Sequence, residues 1–210
     1  IAVFYQNDGF GKSGKDGVVS ALARHKLKPV AEGSVERNSQ QVDGAVAQIA
    51  KANPQAVIMV TLFKPTAEFV RQMRKAGQSP QFSTLSPIGA DFLVTEMGAK
   101  EAHGIGISQA MPYPWNDTLP IVKEYHKALQ AFAKHGNYSY YGLEGFINAK
   151  LMAEAIRRTG KDLTREKLVN ALESSNFDLG GYKLGYTPAS HNGSHFVDLT
   201  VLSRDGRVLR

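Results

Sequence analysis

The feature that most restricts this chain is the regular alternation of short apolar runs and amphipathic stretches over its first hundred residues. Apolar runs begin near positions 1, 29, 56, 81 and 104, a spacing of roughly 25 residues that matches successive βα units. The run 56–61 is apolar on both faces, as a central parallel strand must be. The stretches between read as helices. Residues 11–25 turn Val18, Ala21 and Leu22 inward. Val42, Ala45, Val46, Ile49 and Ala50 form the stripe of a helix that Asn53 and Pro54 stop. Pro65 suits the first turn of a helix with Phe69, Val70 and Met73 inward, and Gly77 takes its C′ position; another helix lies near 90–97. Repeated βα units predict an α/β fold with a doubly wound parallel sheet and right-handed crossovers.

After Ile107 the alternation stops. Pro112, Pro114 and Pro120 punctuate a stretch with Tyr113 and Trp115 that reads as a linker or domain crossing. Two long helices are expected next. One, 119–134, puts Val122, Tyr125, Leu129 and Phe132 on one face. The other, 143–159, spreads Phe146, Ile147, Ala149, Leu151, Ala153 and Ile156 so widely that burial on most sides is expected. Thr164, with Glu166 in the first turn, starts a third helix through Leu172. The chain then closes with strands at 182–186 and 196–202 and a turn at Asp205 and Gly206.

Composition removes several function classes. With 210 residues and no cysteine, the chain can bury a core but cannot form a disulfide scaffold, a thiol nucleophile or a Cys-based metal centre. Its apolar runs are too short to span a bilayer. The net charge of +6 is divided evenly, +3 in each half, and the densest cluster, Arg71, Arg74 and Lys75, sits on the solvated face of a helix. A nucleic-acid partner is not expected from that pattern. No basic region precedes Ile1, so no signal peptide is read there, and the chain is expected to open inside a fold.

Gly9, Gly11 and Gly14 match G-x-G-x-x-G between a strand and a helix, with Glu32 and Glu36 roughly 20 residues on. The dinucleotide mechanism needs a tight turn directly out of the strand, yet Gln6, Asn7 and Asp8 intervene and Asp8 would oppose an anion. A P-loop fails because Gln6 stands where its first glycine belongs. His191 and His195 lie at i, i+4 in a polar loop without a third ligand, so no metal site is expected. No G-x-S-x-G elbow exists, and His25, His103 and His126 lack placed partners, so no catalytic residues are assigned. Glu144 reads as an ordinary carboxylate at a helix start.

Taken in order, five segments are familiar together: 8–14 (DGFGKSG), 52–57 (ANPQAV), 69–77 (FVRQMRKAG), 141–146 (YGLEGF) and 153–156 (AEAI). They resemble the substrate-binding proteins of ABC importers in the branched-chain amino-acid (Leu/Ile/Val) family, with the type I periplasmic-binding fold. The resemblance covers essentially the whole chain. It implies a two-lobed binding protein without cofactor or enzymatic activity, periplasmic or lipid-anchored outside the cell, that serves a membrane permease. Residues 1–112 and 191–210 would form the second lobe, and 113–190 would return to the first. The rest of the first lobe, with the Ser/Thr loops that grip a ligand carboxylate, would be absent.

Ligands of open α/β sheets lie beyond the carboxyl ends of strands, which independently selects Phe10 and the loops 62–64 and 85–87. The resemblance implies that Phe10, Phe63, Ser86 and Tyr141 line the ligand. Ser86 departs from amino-acid binders, which often place an acid there for the ligand ammonium. The expected ligand is therefore a branched-chain or hydrophobic amino acid, or a related organic acid or amide. Two alternatives stay open: a nucleotide-binding α/β enzyme using the Gly9–Gly14 loop, and a ligand-sensing receptor domain on the same fold.

Overall fold

The alternation becomes five strands, β1 (Ala2–Gln6), β2 (Glu32–Val35), β3 (Ala56–Val60), β4 (Gln81–Leu85) and β5 (Gly106–Gln109), paired in parallel in the order β2-β1-β3-β4-β5. Between them run α1 (Gly9–Arg24), α2 (Asp43–Lys51), α3 (Phe63–Lys75), α4 (Ala90–Met97) and the short α5 (Ala99–Ala102). The computed structural model describes residues 1–133 and 136–210. These divide into a sheet unit, Ile1–Gln109 with Leu199–Arg210, and a helical unit, Ala110–Asp198.

The helices end where local chemistry ends them. At the close of α3 the N–H of Gln78 donates to Met73 O and that of Gly77 to Arg74 O, a Schellman pattern in which Gly77 takes φ 76°. Asn53 leaves α2 at φ 45°, just before Pro54.

Residues paired across parallel strands point to the same side of a sheet, so contacts reveal which helix covers which face. Phe4 pairs with Met59 and Gly33. Phe69 of α3 stacks on Phe4 at 4.1 Å and meets Phe82 edge-on at 6.4 Å. A Cβ on Gly33 would lie 2.8 Å from the Cβ of Ala45, so α2 shares that face with α3. Tyr5 pairs with Val60 on the opposite face, where a Cβ on Gly14 of α1 would meet Val60 at 2.4 Å. The sheet is therefore wound on both sides, as expected.

The helical unit contains α6 (Pro120–Phe132), α7 (Tyr140–Thr159), α8 (Arg165–Glu173), β6 (Asn176–Asp178) and β7 (Lys183–Gly185), the last two an antiparallel pair. Leu143, Ile147, Leu151 and Ala155 form one buried stripe of α7, packed with Ile121, Val122 and Tyr125 of α6 and with Phe177. This corrects the expectation for α7. A stripe at i, i+4 covers one narrow face, and Met152 and Ile156 lie outside it and are exposed. Phe132 is likewise 90% exposed, because it ends α6 beyond the turns that meet α7. Lys134, where that helix was expected to end, lies outside the described residues.

The chain then returns to the sheet as β8 (Asp198–Leu202) and β9 (Val208–Leu209). The N–H of Leu202 donates to Ile105 O and the Thr200 hydroxyl to Ile107 O, so β8 runs against β5; β8 and β9 are an antiparallel hairpin. The parallel sheet thus has an antiparallel edge, sealed by a buried bond from Gln109 to Thr200 at 3.2 Å.

The glycines of the 9–14 loop follow from this packing. A Cβ at Gly11 would fall 1.9 Å from the carbonyl oxygen of Gln6, whereas one at Gly9 would meet nothing within 4 Å. Backbone cannot yield as a side chain can, so Gly11→Ala is expected to cost about 3 kcal/mol or more, at the top of the overpacking range. Gly9→Ala is expected to be neutral or slightly stabilising. Urea unfolding of the two variants beside the wild type measures both.

Candidate functional site

Because β1, β3 and β4 are adjacent and parallel, their carboxyl ends lie along one edge of the sheet unit. Each runs almost directly into a helical turn. Phe10 is the second residue of α1, Phe63 the first of α3, and Ser86 the first of a 3₁₀ turn, Ser86–Ile88. The fold thus brings three of the four sequence-derived site residues to one edge. Phe10 is exposed, while Phe63 and Ser86 are half-buried. The Phe63 ring stacks on Phe92 of α4 at 5.5 Å. Tyr141 belongs to the helical unit, as the second residue of α7. Burial, and then the nearby Glu144 carboxylate, push its phenol above the ordinary value, so it stays a neutral hydroxyl at physiological pH.

Asp8 closes the start of α1. Its Oδ1 accepts the N–H of Gly11 at 3.0 Å and its Oδ2 accepts Nε2 of Gln6 at 2.6 Å. The Gly11 bond first, and the Gln6 bond second, hold this carboxyl below its ordinary range. The helix terminus that a pyrophosphate would use is therefore already occupied by an anion of the chain's own.

Beside it is a cavity of about 300 Å³ lined by Gln6, Asn38, Ser39, Gln40, Leu62, Phe63 and Lys64. These come from the carboxyl ends of β1, β2 and β3. The strand-end rule selected loop 62–64 but missed 38–40. The polar run 36–41 after β2 was the available signal, since β2 is parallel to β1 and must end on the same edge. Asn38 holds φ 62°, a left-handed turn that asparagine tolerates.

The helical unit has a different cavity, about 410 Å³, with Leu151, Met152, Val169, Leu172 and Tyr186 in its wall. At its rim His191 Nε2 lies 2.8 Å from Glu173. Among the described residues no group of three or more His, Asp or Glu is placed to hold a metal ion.

The parallel sheet wound on both faces, with its loops gathered at the strand ends, is the type I periplasmic-binding architecture. The chain belongs to the periplasmic binding protein family, whose model matches residues 1–207. A substrate-binding periplasmic protein from Ralstonia solanacearum is 36% identical with a TM-score of 0.87; the match covers 99% of this chain and 60% of that one. A possible leucine/isoleucine/valine-binding protein from Rhodopirellula baltica SH 1 is 31% identical with a TM-score of 0.91, over 100% of this chain and 58% of the other. A branched chain amino acid ABC transporter protein from Thermus thermophilus, solved with bound valine, shares the fold at 19% identity and a TM-score of 0.80, over 99% of this chain and 58% of its own. The chain thus spans about three fifths of the length of these relatives. A search of curated proteins found no match.

Asp8 supplies a test of the edge's electrostatics. A carboxyl held low in the folded state contributes stability that is complete above the ordinary carboxylate range and is lost as pH falls through the depressed folded value. Asp8→Asn keeps a capping side chain but removes the titration. The wild type is therefore expected to lose stability faster than Asp8→Asn as pH falls below about 4, and the two should run in parallel above about 6. Urea midpoints measured across that range decide it.

Proposed function

We propose that this chain is the larger part of the solute-binding component of an ABC importer, which captures a small ligand between two lobes by hinge closure. Residues 1–112 with 191–210 act as the second lobe, and 113–190 return to the first. The observation that carries the reading is the gathering of Phe10, Phe63 and Ser86 at the carboxyl ends of three adjacent parallel strands, where α/β folds receive ligands. Tyr141 adds a neutral hydroxyl and an apolar ring from the other lobe. The ligand is a branched-chain or hydrophobic amino acid, or a related organic acid or amide. Support for this size and character comes from a relative described as a possible leucine/isoleucine/valine-binding protein.

The role is capture rather than catalysis, in the periplasm or outside the cell, with a membrane permease as partner. No helix among the described residues is long and apolar enough to cross a membrane.

Calorimetric titration of the complete protein with L-leucine, L-valine and their deaminated acids tests the reading, and saturable binding of at least one is expected. The 210-residue chain alone is expected to bind the same ligand about 100- to 10⁴-fold more weakly. Two missing charge-assisted hydrogen bonds to the ligand carboxylate would cost roughly 3–6 kcal/mol. Equal affinities would show that residues 1–210 hold the whole site and would sink the lobe assignment. NAD and ATP at millimolar concentration are expected to leave the Tm unchanged. A micromolar nucleotide site would add about 4 kcal/mol there, and a saturable shift would favour the enzyme alternative.

A further inference from the structure

We propose that the amino edge of the sheet unit, opposite the edge of Phe10, Phe63 and Ser86, is a docking surface for the anionic headgroups of a phospholipid bilayer. This surface is separate from the candidate site and does not depend on which ligand is captured there.

Parallel strands joined by helices place every helix-to-strand connection at one edge. Here these are residues 25–31, 52–55, 76–80 and 103–105. The antiparallel β8 ends at the same edge, because the N–H of Gly104 donates to Leu202 O, so the β8–β9 turn joins them. With strands about 4.8 Å apart, the edge from β2 to β8 runs roughly 24 Å. Arg24, Lys26 and Lys28 stand at its β2 end. Lys51 and Lys75 close α2 and α3, while Lys100 and Arg204 stand by β5 and β8. All are exposed, and none forms an ion pair among the described residues. The acids there are engaged: Glu32 by Lys15 at 3.4 Å, Glu101 by Arg71 at 2.9 Å and Asp205 by Arg207 at 2.7 Å. Among the described residues Glu96, in the last turn of α4, remains. Asp8, Glu36, Asp43 and Asp91 belong instead to the carboxyl edge, where Lys12, Arg37 and Lys64 nearly balance them. The even division of charge along the sequence thus hides a positive pole.

Helix dipoles account for part of it: Arg24, Lys51 and Lys75 lie in last turns, where a cation is favoured. Lys26, Lys28 and Arg204 lie outside the helices and have no such reason. Lys26 is the sharpest case. Its N–H donates to Ala23 O and that of Leu27 to Leu22 O, a Schellman close that holds Lys26 at φ 58°, where glycine would sit with less strain. Beside it Leu27 and Val30 are 56% and 57% exposed. Aliphatic side chains among lysines suit a bilayer interface, into which they can sink while the ammonium groups meet headgroup phosphates. A nucleic acid gains nothing from Leu27 and Val30, which have no ring to stack on a base.

Co-sedimentation of the chain with vesicles tests this. Saturable binding is expected to vesicles that contain phosphatidylglycerol, with release by salt, and none to vesicles of pure phosphatidylcholine. Each Lys or Arg near an anionic surface is worth about a factor of five in affinity. Lys26→Gly combined with Lys28→Gln is therefore expected to weaken binding about 25-fold, although Lys26→Gly alone leaves the urea midpoint unchanged or higher. Lys12→Gln combined with Arg37→Gln removes the same charge from the carboxyl edge and should change binding by less than about 3-fold. Leu27→Ser should weaken it about 5-fold. Equal losses from the two double variants would assign the attraction to net charge and overturn the docking edge. So would failure to bind the anionic vesicles, or equal binding to phosphatidylcholine. Duplex DNA held as tightly as the vesicles in the same salt, with no effect of Leu27→Ser, would give the edge to nucleic acid instead.

Discussion

Neither face of β1 or β3 can be left to water, and that requirement governs the sheet unit. A central parallel strand is apolar on both sides, so it needs a helical layer above and below. On one face the cover is Phe69 stacked on Phe4, a pair of large rings with no exposed surface. On the other it is α1, which lies so close that Gly14 has no room for a Cβ beside Val60. Burying rings of this size contributes about 1.5–3 kcal/mol each. An exposed ion pair such as Arg71 with Glu101 contributes at most about 1 kcal/mol, so packing and not charge holds the layers together.

The same closeness shapes the edge at the strand ends. With only Asn7 and Asp8 between β1 and α1, the helix must begin at the strand's end, and Gly11 is forced against the Gln6 backbone. Two neighbouring helix starts are then treated in opposite ways. At α1 the chain supplies its own anion through Asp8. At α3 the nearest hydroxyl, Thr61, is buried and bonded to Thr66 at 2.5 Å, so it cannot cap, and Lys64 stands in the first turn instead. One end of the edge is neutralised internally while the other keeps its positive character.

Much of this was legible in the sequence where one physical requirement dominated. Strand β3 stood out as a continuous apolar run and helix α4 as a simple amphipathic stripe, patterns that leave few readings. Strand β2 begins at Glu32 rather than near position 29, since this segment lacks such continuity. Strand β6 was missed because Asn176 and Asp178 flank a single buried Phe177. The antiparallel sense of β8 could not be read from composition, because direction is set by the return of a chain segment roughly 90 residues later rather than by its own residues. For the candidate site, the strand-end rule pointed to Phe10, Phe63 and Ser86, which do lie at the carboxyl ends of β1, β3 and β4. Tyr141 is a candidate only through family resemblance, for its local sequence reads as no more than a helix start. Residues 38–40 went unseen because polar runs after short strands look like any solvated loop.

The late return of β8 has a consequence for how the molecule comes into being. During synthesis, β1 to β5 and their helices emerge before the helical unit, and residues 199–210 emerge after it. Until that moment the outer edge of β5 is a row of unpaired N–H and C=O groups, the kind of template on which other chains assemble. Joining Gln109 to Thr200 across 91 positions costs about 2 kcal/mol more in loop-closure entropy than a ten-residue connection would. The β8–β9 hairpin is thus a latch that the ribosome delivers only after the helical unit, and the nascent sheet must keep out of aggregates until it arrives.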